Sequence, residues 1–331
     1  MKPAKPKRWR KPTGDGETHV TEHHEAPISG IQTITAANLQ KKKFPPVQYA
    51  VEGLVAEGLT LLAGKPKVGK SWMALDFAMS IARGGEALGQ IPCEQGTVLY
   101  CALEDNQRRL QRRLRQLLDH KGGWPENLHL TTSLPRLDED GLEWLEDWIV
   151  SNEPALVIID TLAAVRPRNG PEHSYDADYS ALTPLQKLAG ELELAIVVIH
   201  HLRKMKSDDP LDTISGTTGL TGAVDSVLVL RRDGQGTTLY GRGREIEEID
   251  VAVQFENGAW SLLGETAKVR RSEEREAILN ALQEAGEPLG PNAIAKALGK
   301  PVNNIKQLLL KMGAAGEIQK HGRGKYTVPA N

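Results

Sequence analysis

The stretch Gly64-Lys65-Pro66-Lys67-Val68-Gly69-Lys70-Ser71 constrains this chain more than any other. It is a complete G-x-x-x-x-G-K-S. An apolar run, residues 59–63, precedes it, and a helical-looking segment, residues 72–83, follows. A strand that delivers such a loop to a helix N-terminus lets successive backbone N–H groups wrap a phosphate, and the helix end adds partial positive charge. Lys70 then reaches the β- and γ-phosphates, and the Ser71 hydroxyl sits on Mg²⁺. A bare glycine turn between strand and helix could carry the same letters, but the flanks favour a nucleoside triphosphate. The expected cofactors are therefore ATP and Mg²⁺, held by Gly64 through Ser71 with Trp72 in the first helical turn.

Around this loop, short apolar runs alternate with helical stretches. The runs fall at 59–63, 97–102, 128–131, 155–159, 195–200 and 224–230; the helical stretches at 71–83, 107–120, 142–151 and 178–192. Continuous Val/Ile/Leu runs mark strands buried on both faces, so an α/β fold is predicted, a mostly parallel sheet with helices on both faces. Later segments at 237–240, 251–255 and 259–262 alternate with polar residues and extend that sheet in the antiparallel sense. No apolar run is long enough to span a membrane, no secretory signal is apparent, and Cys93 and Cys101 form no disulfide or metal spacing. A cytoplasmic location is expected.

Charge divides the chain. Residues 1–43 carry nine Lys/Arg against four Asp/Glu, residues 266–331 eleven against six, and residues 44–265 twenty-one against thirty-three. Basic ends around an acidic middle suggest nucleic-acid contact at the ends, with solvated surface charge as the plainer reading. Residues 1–43, rich in Lys, Pro, Thr and His, are predicted to be a mostly disordered basic tail, and His19, His23 and His24 lack the scaffold of a metal site. Residues 44–265 are the predicted core domain. Residues 266–331 form another unit: helical spacing at 274–284, Pro291 in a first-turn position, a helix over 302–312, and a hairpin signal at His321-Gly322-Arg323-Gly324. Three short helices and a hairpin spell a winged helix-turn-helix.

Three strand ends carry the chemistry. The run ending in Asp160 reads as a Walker B strand, with the carboxylate placed to hold the water shell of Mg²⁺. Glu104 lies just beyond the end of another strand, where a carboxylate can orient and deprotonate an attacking water; the helix dipole offers it a purely structural role. His200 and His201 end a third strand, where an imidazole can hydrogen-bond a γ-phosphate; adjacent side chains alternate, so one of the two is expected to act.

The set G-K-P-K-V-G-K-S, A-L-E-D, L-V-I-I-D and V-I-H-H-L-R-K resembles the RecA-like P-loop ATPase core. More narrowly, it is similar to the RepA-type hexameric replicative helicases of plasmids and phages, over residues 44–265. The resemblance implies that Glu104 is the catalytic glutamate and that His201 is the γ-phosphate sensor, with His200 less certain. Ile214-Ser215-Gly216-Thr217 through Ala223-Val224-Asp225 resembles a segment of DnaB-type helicases. Arg242 and Arg244, in Gly241-Arg242-Gly243-Arg244, match a basic hairpin tip that supplies an arginine finger to a neighbouring subunit; solvent-exposed charge is the alternative. Arg113 or Arg109 could stack on the base, with Arg108 and Arg112 as rivals.

The resemblance also places Arg166 and Arg168, and Lys204 and Lys206, in loops that track single-stranded DNA in a central channel; incidental charge on surface loops is the alternative. In the winged helix, Asn304 and Lys306 would enter a major groove while Arg323 and Lys325 contact backbone, although such domains also dock proteins. The compact RepA-type helicases do not require this unit. The expected activity is a DNA-dependent ATPase, a homo-hexameric ring helicase with DNA and possible replication proteins as partners. A nucleotide-gated regulator or loader and a filament-forming recombination ATPase are the alternatives.

Overall fold

The computed structural model describes residues 33–118, 123–167, 175–202, 220–322 and 324–329, without the side chains of 175–178, 180 and 181. Arg168, Lys204, Lys206, Arg323, the segment 214–217 and the histidines of residues 1–32 lie outside the described residues. The chain divides into two units, Met1–Pro46 and Val47–Asn331. In the first, Ala36–Leu39 forms one helical turn whose leading amides are met by the Thr35 hydroxyl, which accepts from Asn38 N.

The second unit is built on nine strands: β1 (Gly58–Gly64), β2 (Val98–Ala102), β3 (Leu128–Thr131), β4 (Leu156–Asp160), β5 (Ala195–His201), β6 (Ser226–Asp233), β7 (Gly236–Gly243), β8 (Ile249–Glu256) and β9 (Ala259–Glu265). Their order is β9-β8-β7-β6-β1-β5-β4-β2-β3. From β6 to β3 every pairing is parallel, and β6 through β9 pair antiparallel. This is an α/β fold, a mostly parallel sheet with helices on both faces. One strand, β5, separates β1 from β4, so the loop after β1 and the carboxylate ending β4 stand at the same edge with His201 between them.

The period of two in the strands divides the core. Leu59, Leu61 and Ala63 of β1 pack with Val157, Ile159, Val198 and the helices α3 (Gly141–Asn152) and α4 (Tyr175–Glu191). Leu62 packs on the opposite face with Tyr100, Ile158, Val197 and the helices α1 (Lys70–Arg83) and α2 (Gln107–Leu118). Side chains that alternate across a strand bury both faces, which is why the parallel strands read as unbroken apolar runs. β3 departs from that expectation. It closes the sheet edge, with no strand among the described residues paired beyond it, and its His129 and Leu130 are exposed.

After β9 the chain enters α5 (Thr266–Ala285) with no intervening loop. The Thr266 hydroxyl donates to Asp250 Oδ1 at 2.8 Å, and Arg270 pairs with Asp233 at 2.7 Å, tying the first turns of α5 to the sheet. Farther along, Ile278 and Leu282 join Ile294 of α6 (Pro291–Leu298), Ile305, Leu309 and Met312 of α7 (Val302–Ala314), Ile318 and Tyr326 in a separate core. A short hairpin, Gln319–His321 with Lys325–Thr327, completes this group. Among the described residues, no helix is long and apolar enough to cross a membrane.

Candidate functional site

The loop from Gly64 to Ser71 occupies the carboxyl edge of β1, and α1 begins at Lys70. Gly69, the residue before the helix, has φ of 111°, a region open to glycine. Its carbonyl accepts from Trp72 N and Met73 N, starting the helix, and also from the Trp260 indole at 3.2 Å. Gly64 is required by crowding: a Cβ there would lie 2.6 Å from the Leu230 carbonyl oxygen. Lys65, Pro66 and Lys67 are exposed, Val68 is buried, and Ser71 and Trp72 are half-buried.

Lys70 points back into its own loop. Its ammonium donates to Gly64 O at 2.7 Å and Lys65 O at 3.0 Å, and lies 3.0 Å from His201 Nδ1. Three donors meet three acceptors, so Nδ1 of His201 accepts and its hydrogen sits on Nε2. Burial lowers the Lys70 pKa to about 8, against the opposing pull of Asp160 and Glu104.

Nε2 of His201 faces Glu104 Oε2 at 3.6 Å, and Glu104 Oε1 accepts from the Thr161 hydroxyl at 2.9 Å. Lys70, His201, Glu104 and Thr161 thus form a chain of polar contacts across the ends of β1, β5, β2 and β4. His201 of the histidine pair joins it. Beside the chain, Asp160 is 6% exposed and its pKa is raised by burial. It accepts from Tyr100 Oη at 2.8 Å and hydrogen-bonds the Ser71 side chain. A buried carboxylate touching the P-loop serine is a donor set that fits a divalent cation, whose charge would offset the cost of keeping it ionised.

Asp105, next to Glu104, binds both Arg109 and Arg113 of α2, with Arg113 at 2.7 Å. Arg113 also lies over the Trp72 ring, 5.4 Å from its centroid. The guanidinium expected to stack on a base is therefore seated on Trp72 and Asp105, while Arg108 and Arg112 are exposed. Sequence reasoning missed Tyr100, Asp105, Thr161 and Trp260. The polar pair Asp160-Thr161 at a strand end was a usable signal for one of them. Tyr100 resembled a core aromatic, and Trp260 lies 191 residues from the glycine it contacts.

Arg242 and Arg244 stand elsewhere. Arg242 lies within β7, opposite Val227, which in turn pairs with Leu61, so it is level with the middle of β1 rather than its phosphate edge. The expected hairpin tip is corrected: the β7–β8 turn begins at Arg244, and Arg242 belongs to the ladder. Arg244 Nη1 reaches Asp225 Oδ1 at 3.0 Å, and the same carboxylate accepts from Leu59 N and Gln186 Nε2. Both arginines are exposed and lie away from the Lys70 cluster of their own chain. Arg166 is half-buried where the short helix Leu162–Val165 ends, and its carbonyl accepts from Arg136. Asn304 and Lys306 are exposed on α7, and Lys325 is exposed on the hairpin.

A family model described as AAA domain matches residues 25–207, more than half of the chain and the span holding Lys70, Glu104, Asp160 and His201. The chain belongs to the AAA-domain family. Beyond that, this AAA-domain protein is 27% identical over 229 residues to the DNA repair protein RadA of Mycobacterium tuberculosis, in two strains; the alignment covers 66% of this chain and 42% of the relative. It thus spans about two fifths of the length of that curated relative. Among solved structures, it is similar to a separately solved ATPase domain, at 15% identity, covering 62% of this chain and 85% of the other, with a TM-score of 0.49. A DnaB-like replicative helicase, solved for its interactions with primase, gives 14% identity, 63% and 59% coverage and a TM-score of 0.48. A KaiC-like protein of the hyperthermophilic archaeon Pyrococcus horikoshii gives 15%, 64%, 93% and 0.44. At these values the structural likenesses assign no activity to the AAA-domain protein.

Proposed function

We propose that this protein is a DNA-dependent ATPase that hydrolyses ATP at interfaces between copies of itself, in a ring that translocates on single-stranded DNA as a helicase. The observation that carries the reading is the Lys70–His201–Glu104–Thr161 cluster beside Asp160 at one edge of the sheet. Gly64 to Ser71 would hold the triphosphate, with Lys70 exchanging its carbonyl partners for phosphate oxygens. Ser71 and Asp160 would hold Mg²⁺, which supplies charge neutralisation on those oxygens. Glu104, oriented by Thr161, takes a proton from the attacking water, and His201, between Glu104 and Lys70, responds to the γ-phosphate. Arg242 and Arg244 would complete a neighbour's site, a reading supported by their distance from the phosphate loop of their own chain.

The DNA assignment draws support from the RadA similarity and from the exposed Asn304, Lys306 and Lys325 on the C-terminal three-helix unit, which we read as a winged helix gripping duplex backbone. That same polar face favours a second reading, a nucleotide-gated DNA-binding regulator. ATP turnover with and without single-stranded DNA, together with strand displacement on a forked duplex, tests the first. DNA-stimulated turnover and unwinding are expected; neither appearing would overturn it. A Glu104→Gln variant that keeps ATP-dependent DNA binding in a protein that never unwinds would favour the second.

A further inference from the structure

The antiparallel strands β8 and β9 lie outside the parallel core, yet one of their side chains touches the phosphate loop. Trp260 is 2% exposed, its indole N–H donates to Gly69 O, and a Cβ added to Gly69 would fall 2.6 Å from the Trp260 ring. The ring is held in turn: Phe255 lies 5.0 Å from it and 5.7 Å from Trp72, the residue on which Arg113 rests. Two residues on, Leu262 N donates to Leu88 O and Leu262 O accepts from Gln90, while Leu88 N donates to Asp76 of α1. Strand β9 is therefore fastened to the start of the helix that follows the loop and, through Leu88, to its middle at Asp76. It then runs straight into α5, whose far end forms the core of the C-terminal unit.

We propose that Trp260 is a positioning residue for nucleotide binding. It holds Gly69 in the left-handed conformation that turns the loop amides and the start of α1 toward a phosphate, and it links the loop mechanically to β9 and α5. Glycine is the residue with most freedom to leave such a conformation, so a loop hinged on Gly69 needs an external brace to be preorganised. The indole supplies it twice, through a hydrogen bond to a carbonyl that already starts the helix and through a ring edge that blocks movement of the Cα. The inference rests on Gly64–Ser71 being the nucleotide's phosphate loop.

The test compares the full chain with its Trp260→Phe variant, which keeps an aromatic ring against Phe255 and removes the N–H. Binding of a fluorescent ADP analogue and the KM and kcat for ATP are measured, with thermal melting as the check on folding. The analogue's Kd and the KM should rise about fivefold, as for loss of one hydrogen bond and some preorganisation, with kcat within about twofold. A role in folding alone would lower the melting temperature and leave Kd unchanged well below it. An unchanged Kd in a folded variant overturns the proposal. Should the variant not fold, the wild-type chain labelled with 5-fluorotryptophan gives a second readout. The Trp260 ¹⁹F resonance should move when Mg²⁺-ADP is added, and a resonance that stays still overturns the proposal equally. A wild-type chain that fails to bind the analogue would instead sink the nucleotide-site reading itself.

Discussion

Lys70 carries a consequence of its burial that titration can read. In the folded protein its pKa falls from 10.5 to about 8. Between those values the unfolded chain binds more protons, so stability rises as pH climbs from about 8 toward 10.5, and below 8 the buried ammonium is a constant cost. Phosphate favours the charged lysine, so nucleotide binding takes up protons where the bare site is partly neutral, and affinity should fall as pH passes through about 8. Calorimetric titration with ADP in two buffers of different ionisation enthalpy should show proton uptake near pH 8; affinity flat across that range would contradict the assignment. Thr161 makes a second prediction. With its hydroxyl bound to Glu104 Oε1, Thr161→Val should lower kcat about tenfold with KM little changed, and Thr161→Ser should restore most of it. Equal losses in both variants would mean that Thr161 only packs. Lys70, His201 and Glu104 of the contact chain were legible in the sequence, because a lysine after glycines and polar side chains at strand ends are rare and purposeful. Thr161 and the residues around the chain were hidden, because Tyr100 and Trp260 look like ordinary core until distance brings a polar atom to them.

At the scale of elements, periodicity located the strands and helices well wherever burial was two-sided or amphipathic. It misjudged β3, where the apolar run closes an edge. It also started α5 late: residues 266–273 are strongly charged, and their helical state comes from tertiary ties, Thr266 to Asp250 and Arg270 to Asp233, rather than from an apolar face. The separate core of α6, α7 and the hairpin implies that it can loosen on its own. Leu309 is fully buried there. Leu309→Ala should remove about 2–5 kcal/mol from that core. Hydrogen exchange should then rise across α6 and α7 while the amides of β1, β4 and β5 keep their protection. Loss of protection in β1 at the same denaturant concentration would show that the two cores unfold together.

For the whole molecule, the arrangement of charge poses one question: where Arg242 and Arg244 act. Asp225 anchors Arg244 beside Leu59, five residues before the phosphate edge of β1, so at about 3.3 Å per residue the guanidinium starts roughly 16 Å from its own loop. Arg242 is level with Leu61, two strands away. An arginine that acts on phosphate from there acts on a neighbour's phosphate. Mixing two inactive proteins separates the cases. Glu104→Gln keeps both arginines and lacks the base, whereas the double variant Arg242→Ala/Arg244→Ala keeps the base and lacks the arginines. Each alone should turn over ATP at least about a hundredfold more slowly than wild type. In randomly mixed closed assemblies, a site with an intact Glu104 meets a neighbour with intact arginines in about one interface of four, so turnover should recover to about a quarter of the wild-type rate. Arginines serving their own chain's site would give no recovery at any ratio. Recovery that also depends on single-stranded DNA would support the proposed ring, since an ordering of neighbours by DNA is what would bring the two halves of each site together.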